Sequence, residues 1–238
     1  MSYTTTYDYT ATHSERSLPF AAVLRGVYLW MTLGLLLTGV TAYALAQNTA
    51  LLYTFFSTPA LMWGCLIGEL VLVVVLSAAI HRLSYPVAAL LFLLYALING
   101  VTFASIFMIY TMQSIAQTFF ICAGTFGVMS VVGFTVKRDL SAMGRILMMV
   151  LIGLIIATIV NIFLHSAGLA LLLNYVGVIL FVALTAYDTQ KIKQMCAVAA
   201  ETGENATVSK LALLGSLTLY LDFISLFLYL LRLFGDRK

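Results

Sequence analysis

The chain has 238 residues, of which 63% are hydrophobic and only 9% are charged, and its formal net charge at pH 7 is +3. A water-soluble domain has about 25% charged and 45–50% apolar residues, so no soluble fold of this size could cover its surface. The composition predicts an integral membrane protein, and the small net charge argues against a nucleic-acid partner.

Seven apolar runs are long enough to cross a bilayer core of about 30 Å, which needs roughly 20 residues per helix. Short connections join the runs, so we predict an all-α membrane protein with one domain of seven transmembrane helices over residues 27–238, after a polar tail over residues 1–26. Pro19, Pro59 and Pro86 fall at or before helix starts, where a missing N–H costs least. The runs are Val27–Ala46, Leu61–Ile80, Val87–Thr111, Ile115–Val136, Ile146–Leu164, Leu169–Tyr187 and Leu211–Phe234.

Lysine and arginine alternate between the connections. They occur in the N-terminal tail and after the second, fourth and sixth runs, whereas Gln47–Ala60, Met112–Ser114 and His165–Gly168 contain none. The positive-inside rule therefore predicts a cytoplasmic N-terminus. The seventh run departs from this pattern, since Arg232 ends outside if the run spans and inside if it re-enters. Its apolar length favours a spanning helix.

The first run has two interpretations. Ala44-Leu45-Ala46 follows it and is similar to a signal-peptide cleavage site. The run is longer than the apolar region of a signal peptide, about 7–15 residues, and a long tail precedes it. We therefore favour an uncleaved first helix.

Three carboxylates lie within the apolar runs. Glu69 is near the middle of the second run, Asp188 closes the sixth, and Asp222 is in the seventh. Ionisable groups inside membrane helices are rare and usually face a bundle interior or a water-filled cavity. Each of the three is therefore a candidate functional residue.

Asp222 is the deepest of the three. It lies roughly 15–18 Å from either end of its run, close to the bilayer midplane. Thr218, Ser225 and Tyr229 share its helix face at positions i−4, i+3 and i+7. A carboxylate among hydroxyls indicates an interior or pore-facing side. The alternative is an aspartate that only holds helices together by hydrogen bonding.

Asp188 and Glu69 have stronger structural alternatives. Thr185 continues the polar face of Asp188 back into the helix, but a carboxylate at a helix end can simply be solvated or paired with Lys191. Glu69 has a mostly apolar face, so burial without a transport role is at least as good an interpretation.

Signatures of enzymes and metal sites are missing from the sequence. Cys65, Cys122 and Cys196 are far apart and match neither a disulfide framework nor zinc-ligand spacing. There is no phosphate-binding glycine loop, HExxH or GxSxG motif. Tyr187-Asp188 matches one motif of intramembrane aspartyl proteases, but the residues before Asp222 do not match the other. We therefore predict a protein that is not an enzyme and has no cofactor.

Four segments carry a likeness to a known family. They are AYDTQKIK (Ala186–Lys193), SLTLYLDFISLFLYLLRLFG (Ser216–Gly235), KRDLSAMGRIL (Lys137–Leu147) and NIFLHS (Asn161–Ser166). The sequence resembles the Bax-inhibitor family, also called the transmembrane Bax-inhibitor-motif family, over essentially its whole length. Within the family it is most similar to bacterial inner-membrane members.

The resemblance implies a fold and an activity. The fold has six helices wrapped around a central C-terminal seventh, and the activity is a pH-sensitive calcium leak gated by an aspartate pair that maps to Asp188 and Asp222. In the family a basic residue at the cytoplasmic end of the second helix latches the pair. Ile80 occupies the aligned position here, so Arg82, or His81 when protonated, is the nearest candidate latch.

The chemistry of a carboxyl pair is compatible with this activity. Two carboxylates close together in a low-dielectric site cannot both ionise cheaply and would share a proton. With Thr185, Thr218, carbonyls and water they could form a weak, transient calcium site. However, the predicted boundaries separate Asp188 from Asp222 by roughly 10 Å or more along the membrane normal. We therefore expect those boundaries to be wrong.

Two other functions fit the sequence. One is a non-conducting membrane protein that regulates a membrane protease or a stress or cell-death response, with the tail Met1–Phe20 as a contact segment. The other is a proton-coupled transporter. In the calcium-leak interpretation the partners are the lipid bilayer, calcium ions and protons.

Overall fold

The protein is a bundle of α-helices. The computed structural model describes residues 17–80, 82–202 and 205–238. Seven helical stretches in these ranges are long and apolar enough to cross a membrane, which confirms the predicted seven-helix, multi-pass fold. The helices are α1 (Ser17–Gln47), α2 (Thr49–Ser57), α3 (Pro59–Ala79), α4 (Tyr85–Phe103), α5 (Ile106–Ile109), α6 (Met112–Thr135), α7 (Ser141–Leu164), α8 (Ala167–Thr202) and α9 (Asn205–Phe234).

The predicted positions of Pro59 and Pro86 are confirmed, whereas the predicted connection Gln47–Ala60 is wrong in one respect. Pro59 and Pro86 lie in the first turns of α3 and α4, where no N–H is needed. The connection before α3 is not a loop, because it contains α2. The side chain of Asn48 caps α2 by accepting a hydrogen bond from the Leu51 N–H at 3.1 Å.

The third run is not one helix, as predicted, but α4 followed by the short α5. The chain then extends at Tyr110, which forms a single antiparallel β-bridge with Arg237 near the C-terminus. The end of α5 is thus followed by a tertiary contact that hydropathy does not encode.

The first helix begins at Ser17, within the residues predicted to be a tail, and residues 1–16 of that tail lie outside the described ranges. Its apolar span, Val23–Gln47, begins close to the predicted Val27.

The largest correction concerns the sixth run, for which we predicted an end at Tyr187. Helix α8 continues to Thr202. Ile192 and Cys196 remain buried beyond the last predicted residue, and the Lys193 ammonium donates to the Phe134 carbonyl at 2.7 Å. Lysine can bury its aliphatic stem while its charge reaches a polar partner, so lysines did not mark the end of the helix.

The C-terminal helix α9 is the most buried of the spans. Within its apolar window 67% of the residues are buried, against 6–39% in the other six spans. It packs against α1, α4, α6 and α8, whereas α3 packs on α4 and α7 packs on α8. That six helices wrap around α9 stays a prediction.

Two glycines bring neighbouring helices close to α8. A Cβ atom on Gly133 of α6 would meet the backbone of Ala186, and one on Gly144 of α7 would meet the ring of Tyr187. Both contacts are next to Asp188 in the chain. The depth and rotation of this part of α8 therefore depend on close packing against α6 and α7.

Candidate functional site

The carboxyl groups of Asp188 and Asp222 meet inside the bundle. Asp188 lies on α8 and Asp222 on α9, and these helices pack along each other. Both side chains are buried, with 9% and 5% of their surface exposed, and their carboxyl groups are close enough to interact electrostatically and by hydrogen bonding. An ionised carboxylate can only accept hydrogen bonds, so a hydrogen bond between the two carboxyl groups requires a proton on one of them.

The lengths of α8 and α9 explain why the two aspartates meet. Asp188 lies 14 residues before the end of α8, and Asp222 lies 17 residues after the beginning of α9. Because the two helices are joined by a two-residue connection, these offsets place the aspartates within about one helical turn of the same depth. The separation expected from the shorter predicted helices does not exist.

A cavity of about 680 Å³ extends along α9 from the aspartates, between α7, α8 and α9, with Val73 of α3 also in its wall. The four residues predicted to share one helix face, Thr218, Asp222, Ser225 and Tyr229, all line it. We call these four residues the polar stripe. The remaining wall is mostly apolar, so the stripe concentrates the polar groups of the cavity on one side.

Two cationic side chains also line this cavity, which we call the aspartate cavity. Lys191 lies one turn after Asp188 on α8 and is close enough to act on it electrostatically. Arg232 lies at the other end of the cavity, with its guanidinium 5.6 Å from the centre of the Tyr229 ring. The i+3 spacing from Asp188 to Lys191 was visible in the sequence.

One buried oxygen of the pair receives no hydrogen bond from an N–H or hydroxyl group of a described residue. Among the residues that the structure describes, no donor reaches Oδ2 of Asp222, although this oxygen is buried. A buried carboxyl oxygen without a partner is unfavourable unless water or a cation supplies one. Oδ2 of Asp222 is therefore free either to share a proton with Asp188 or to bind a ligand.

Several residues predicted to support the pair lie elsewhere. Thr185 is fully buried and donates its hydroxyl to the Phe181 carbonyl at 2.7 Å. Glu69 accepts a 2.6 Å hydrogen bond from the Thr102 hydroxyl, which links α3 to α4. Neither residue lines the aspartate cavity.

The candidate latch residues do not meet the pair in the described structure. Arg82 is exposed in the turn after α3 and is not among the residues that line the aspartate cavity. His81 lies outside the described residues. A latching role for either residue stays a prediction, and Lys191 is the cation beside Asp188 in this arrangement.

Gln190, which sequence reasoning missed, attaches α8 to the connection between α6 and α7. Its side-chain amide donates to the carbonyls of Val136 at 3.1 Å and Arg138 at 2.9 Å. Its carbonyl oxygen accepts from the Leu140 N–H at 2.9 Å. Gln190 is two residues after Asp188 and is buried, so these bonds help to hold the aspartate in position. The only signal in the sequence for this role was a polar glutamine close to the end of an apolar run.

Asp139 shapes the same connection. One of its carboxylate oxygens accepts from the Ser141 N–H at 2.9 Å and from the Ser141 hydroxyl at 2.6 Å, and these bonds lower the pKa of Asp139. A lowered pKa in the folded protein means that this stabilisation is present above the usual aspartate pKa and is lost as the pH falls.

We predict that Gln190→Glu lowers the stability of the protein by about 2 kcal/mol or more, because a carboxylate cannot donate to the two carbonyls that Gln190 now satisfies. Thermal unfolding of the purified protein in detergent at neutral pH measures the effect. Gln194→Glu is the matched control, since Gln194 is exposed one turn further along α8. Equal destabilisation by both substitutions would show that the hydrogen bonds of Gln190 are unimportant.

The arrangement can bind a proton and offer oxygen ligands to a hard cation. Calcium prefers six to eight oxygens, whereas the pair and the stripe hydroxyls provide only part of such a shell. In the described part of the chain, no three His, Cys, Asp or Glu side chains come together as a metal site would require. Two carboxylates with water are therefore more suitable for weak, transient binding of a cation than for tight binding.

The fold and this site define a class: a multi-pass helical membrane protein with a buried carboxyl pair in an interior cavity. The family described as inhibitor of apoptosis-promoting Bax1 matches residues 21–238. Because the match covers most of the chain, the protein belongs to the Bax-inhibitor family, and the resemblance seen in the sequence is confirmed.

Relatives in several bacteria match along most of their lengths. The chain is 50% identical over 212 residues to the inner membrane protein YbhL of Escherichia coli K12, covering 89% of this chain and 90% of YbhL. It is 45% identical over 215 residues to a Borreliella burgdorferi protein, covering 90% and 92% of the two chains. It is also 39% identical over 242 residues to RP147 of Rickettsia prowazekii, covering 98% of each chain.

Proposed function

We propose that the protein is a pH-sensitive calcium leak channel of the bacterial inner membrane, gated by the proton that Asp188 and Asp222 share. The observation that carries the proposal is the close approach of these two buried carboxyl groups on α8 and α9. The polar stripe and the aspartate cavity support it, because together they offer a cation oxygen ligands along part of the bundle. The inner-membrane location is supported by the name of the related YbhL.

The chemistry of the pair gives the sign of the pH dependence. Calcium held by both carboxylates displaces their shared proton, because carboxylates bind metals in the deprotonated form. The charged groups that line the same cavity are Lys191 and Arg232, and arginine stays protonated at any relevant pH. Calcium flux should therefore rise with pH as the pair loses its proton.

The same contact describes the closed state. While the proton is shared, the two carboxyl groups bind each other and hold α8 against α9. Loss of the proton leaves two like charges in contact, and their repulsion favours separation unless a cation lies between them. Proton loss and calcium entry thus favour the same opened arrangement.

The direct test is calcium flux into liposomes that contain the full chain, with an indicator dye inside and the membrane potential clamped by a potassium ionophore. We expect flux above that of protein-free liposomes, increasing from about pH 6 to about pH 8 as the pair deprotonates. Absence of protein-dependent flux at every pH would contradict the channel and favour a non-conducting interaction protein. Proton movement that requires an added solute would instead indicate a proton-coupled transporter.

A further inference from the structure

A second, smaller cavity of about 200 Å³ lies at the Arg232 end of the aspartate cavity. The charge distribution in the sequence predicts this end to be external. Arg232 of α9 and Arg237 of the C-terminal segment contribute to its wall together with Asn161 of α7 and Asn174 of α8. Two arginines and two asparagines from three helices and the C-terminal segment thus converge on one small space.

The lining of this cavity is positively charged and rich in hydrogen-bond donors. It includes two guanidinium groups, and among the described residues that line it there is no carboxylate to neutralise them. Each guanidinium carries five N–H donors in a planar fork, and each asparagine amide adds two more. Such a donor set is complementary to an oxyanion.

The structure orients part of this donor set. The side-chain oxygen of Asn161 accepts from the Ser166 N–H at 3.2 Å, so the NH₂ group is what Asn161 can offer to a ligand. Tyr229 stacks on Phe181 with ring centres 5.7 Å apart, and its hydroxyl lies near that of Thr158. Because the Arg232 guanidinium lies over this held ring, its position is constrained as well.

The C-terminal segment that carries Arg237 is bound to the bundle through its backbone. The Thr111 N–H donates to the Asp236 carbonyl at 3.1 Å, and the Lys238 N–H donates to the Ile109 carbonyl at 2.9 Å. The Asp236 N–H also donates to the Ser114 hydroxyl at 2.9 Å. The residues on both sides of Arg237 are thus fixed by backbone groups, so its side chain can be replaced without releasing the segment.

We propose that this cavity is a binding site for a phosphate oxyanion, bound by Arg232 and Arg237 with the amides of Asn161 and Asn174. The guanidinium fork matches the oxygens of a phosphate group in a bidentate way. A lipid headgroup and free inorganic phosphate share this chemistry, and Arg232 lies in the last turn of α9, at the end of a membrane span. The site does not depend on calcium conduction, so either proposal can fail without the other.

The test uses the delipidated full chain in detergent with two probes, inorganic phosphate and short-chain phosphatidylglycerol, and with short-chain diacylglycerol as the phosphate-free comparison. Native mass spectrometry counts bound lipid, and ligand-dependent shifts in thermal unfolding give affinities. We expect phosphatidylglycerol to bind and diacylglycerol not to bind. Arg237→Gln and Arg232→Gln should each weaken binding about tenfold or more, because each removes a charge-assisted contact.

Arg145→Gln is the matched control, since Arg145 is an exposed arginine at the start of α7, far along that helix from Asn161. It should leave the affinity unchanged. Binding of inorganic phosphate as well would support the site and identify a free anion as a second ligand. Binding of neither probe, or equal binding by wild type and Arg237→Gln, would overturn the proposal. If Arg232→Gln does not fold, Arg237→Gln still decides the matter.

Discussion

Replacing Asp222 with asparagine should reduce calcium flux by about tenfold or more and abolish its dependence on pH. In the proposed channel the substitution removes a carboxylate from the ion's path, and a loss of roughly 1.4 kcal/mol in its interaction already corresponds to tenfold. It also removes one of the two groups proposed to share the gating proton. Flux in liposomes across the same pH range measures both effects, and Asp188→Asn should behave similarly.

Structural collapse is not expected to explain these effects. An asparagine amide at position 222 can still donate a hydrogen bond to the Asp188 carboxylate, so α8 and α9 retain a polar contact. Thermal unfolding of each variant in detergent verifies that the bundle is intact before flux is compared.

Glu69→Gln is the matched control for the aspartate substitutions. Glu69 is also a carboxyl group within a membrane span, but it is bonded to Thr102 and lies outside the aspartate cavity. This variant should keep the pH profile of the wild type. If calcium flux still depends on pH in both aspartate variants, the proton-sharing pair is contradicted. If Glu69→Gln loses the pH dependence of calcium flux, the pH-sensing group is Glu69 on α3.

Replacing Gly133 with alanine should destabilise the protein by about 1–3 kcal/mol, the usual cost of overpacking a well-filled interior. The added Cβ would meet the carbonyl and Cα of Ala186, and backbone atoms cannot move aside as a flexible side chain can. Helices α6 and α8 must therefore separate. Thermal unfolding in detergent measures the loss.

Gly124 provides the control on the same helix, because a Cβ atom there would have no neighbour within 4 Å. Gly124→Ala should leave the stability unchanged or raise it slightly, since alanine favours helix more than glycine does. If Gly133→Ala is as stable as Gly124→Ala, the close approach of α6 to α8 is not needed to hold Asp188 in place.

Hydropathy predicted the number of membrane-spanning helices and the approximate position of each span, because the cost of placing polar groups in hydrocarbon acts on each segment separately. It did not predict where helices end outside the membrane. Helix α8 continues past Lys191 and Lys193, because the Lys193 ammonium donates a hydrogen bond to a backbone carbonyl of α6. Likewise, the break after Phe103 accompanies pairing of Tyr110 with the distant C-terminus.

The candidate site, too, was only partly predictable from the sequence. Helical periodicity placed Thr218, Ser225 and Tyr229 on the face of Asp222, and all four residues line one cavity. The family resemblance, and not the periodicity, indicated that Asp188 is the partner. Gln190 had no comparable signal, because its hydrogen bonds join residues 50 or more positions apart. The smaller cavity lined by Arg232 and Arg237 had none either, because its wall combines residues of α7, α8, α9 and the C-terminal segment.

By itself, the sequence determined that the protein is a seven-helix membrane bundle with a carboxylate and hydroxyls along one face of its last helix. These features follow from the hydropathy of single segments and from 3.6 residues per turn. Only the tertiary structure decided that Asp188 and Asp222 lie at the same depth. That depth depends on how far α8 and α9 extend beyond the apolar runs and on how closely Gly133 and Gly144 let α6 and α7 approach α8.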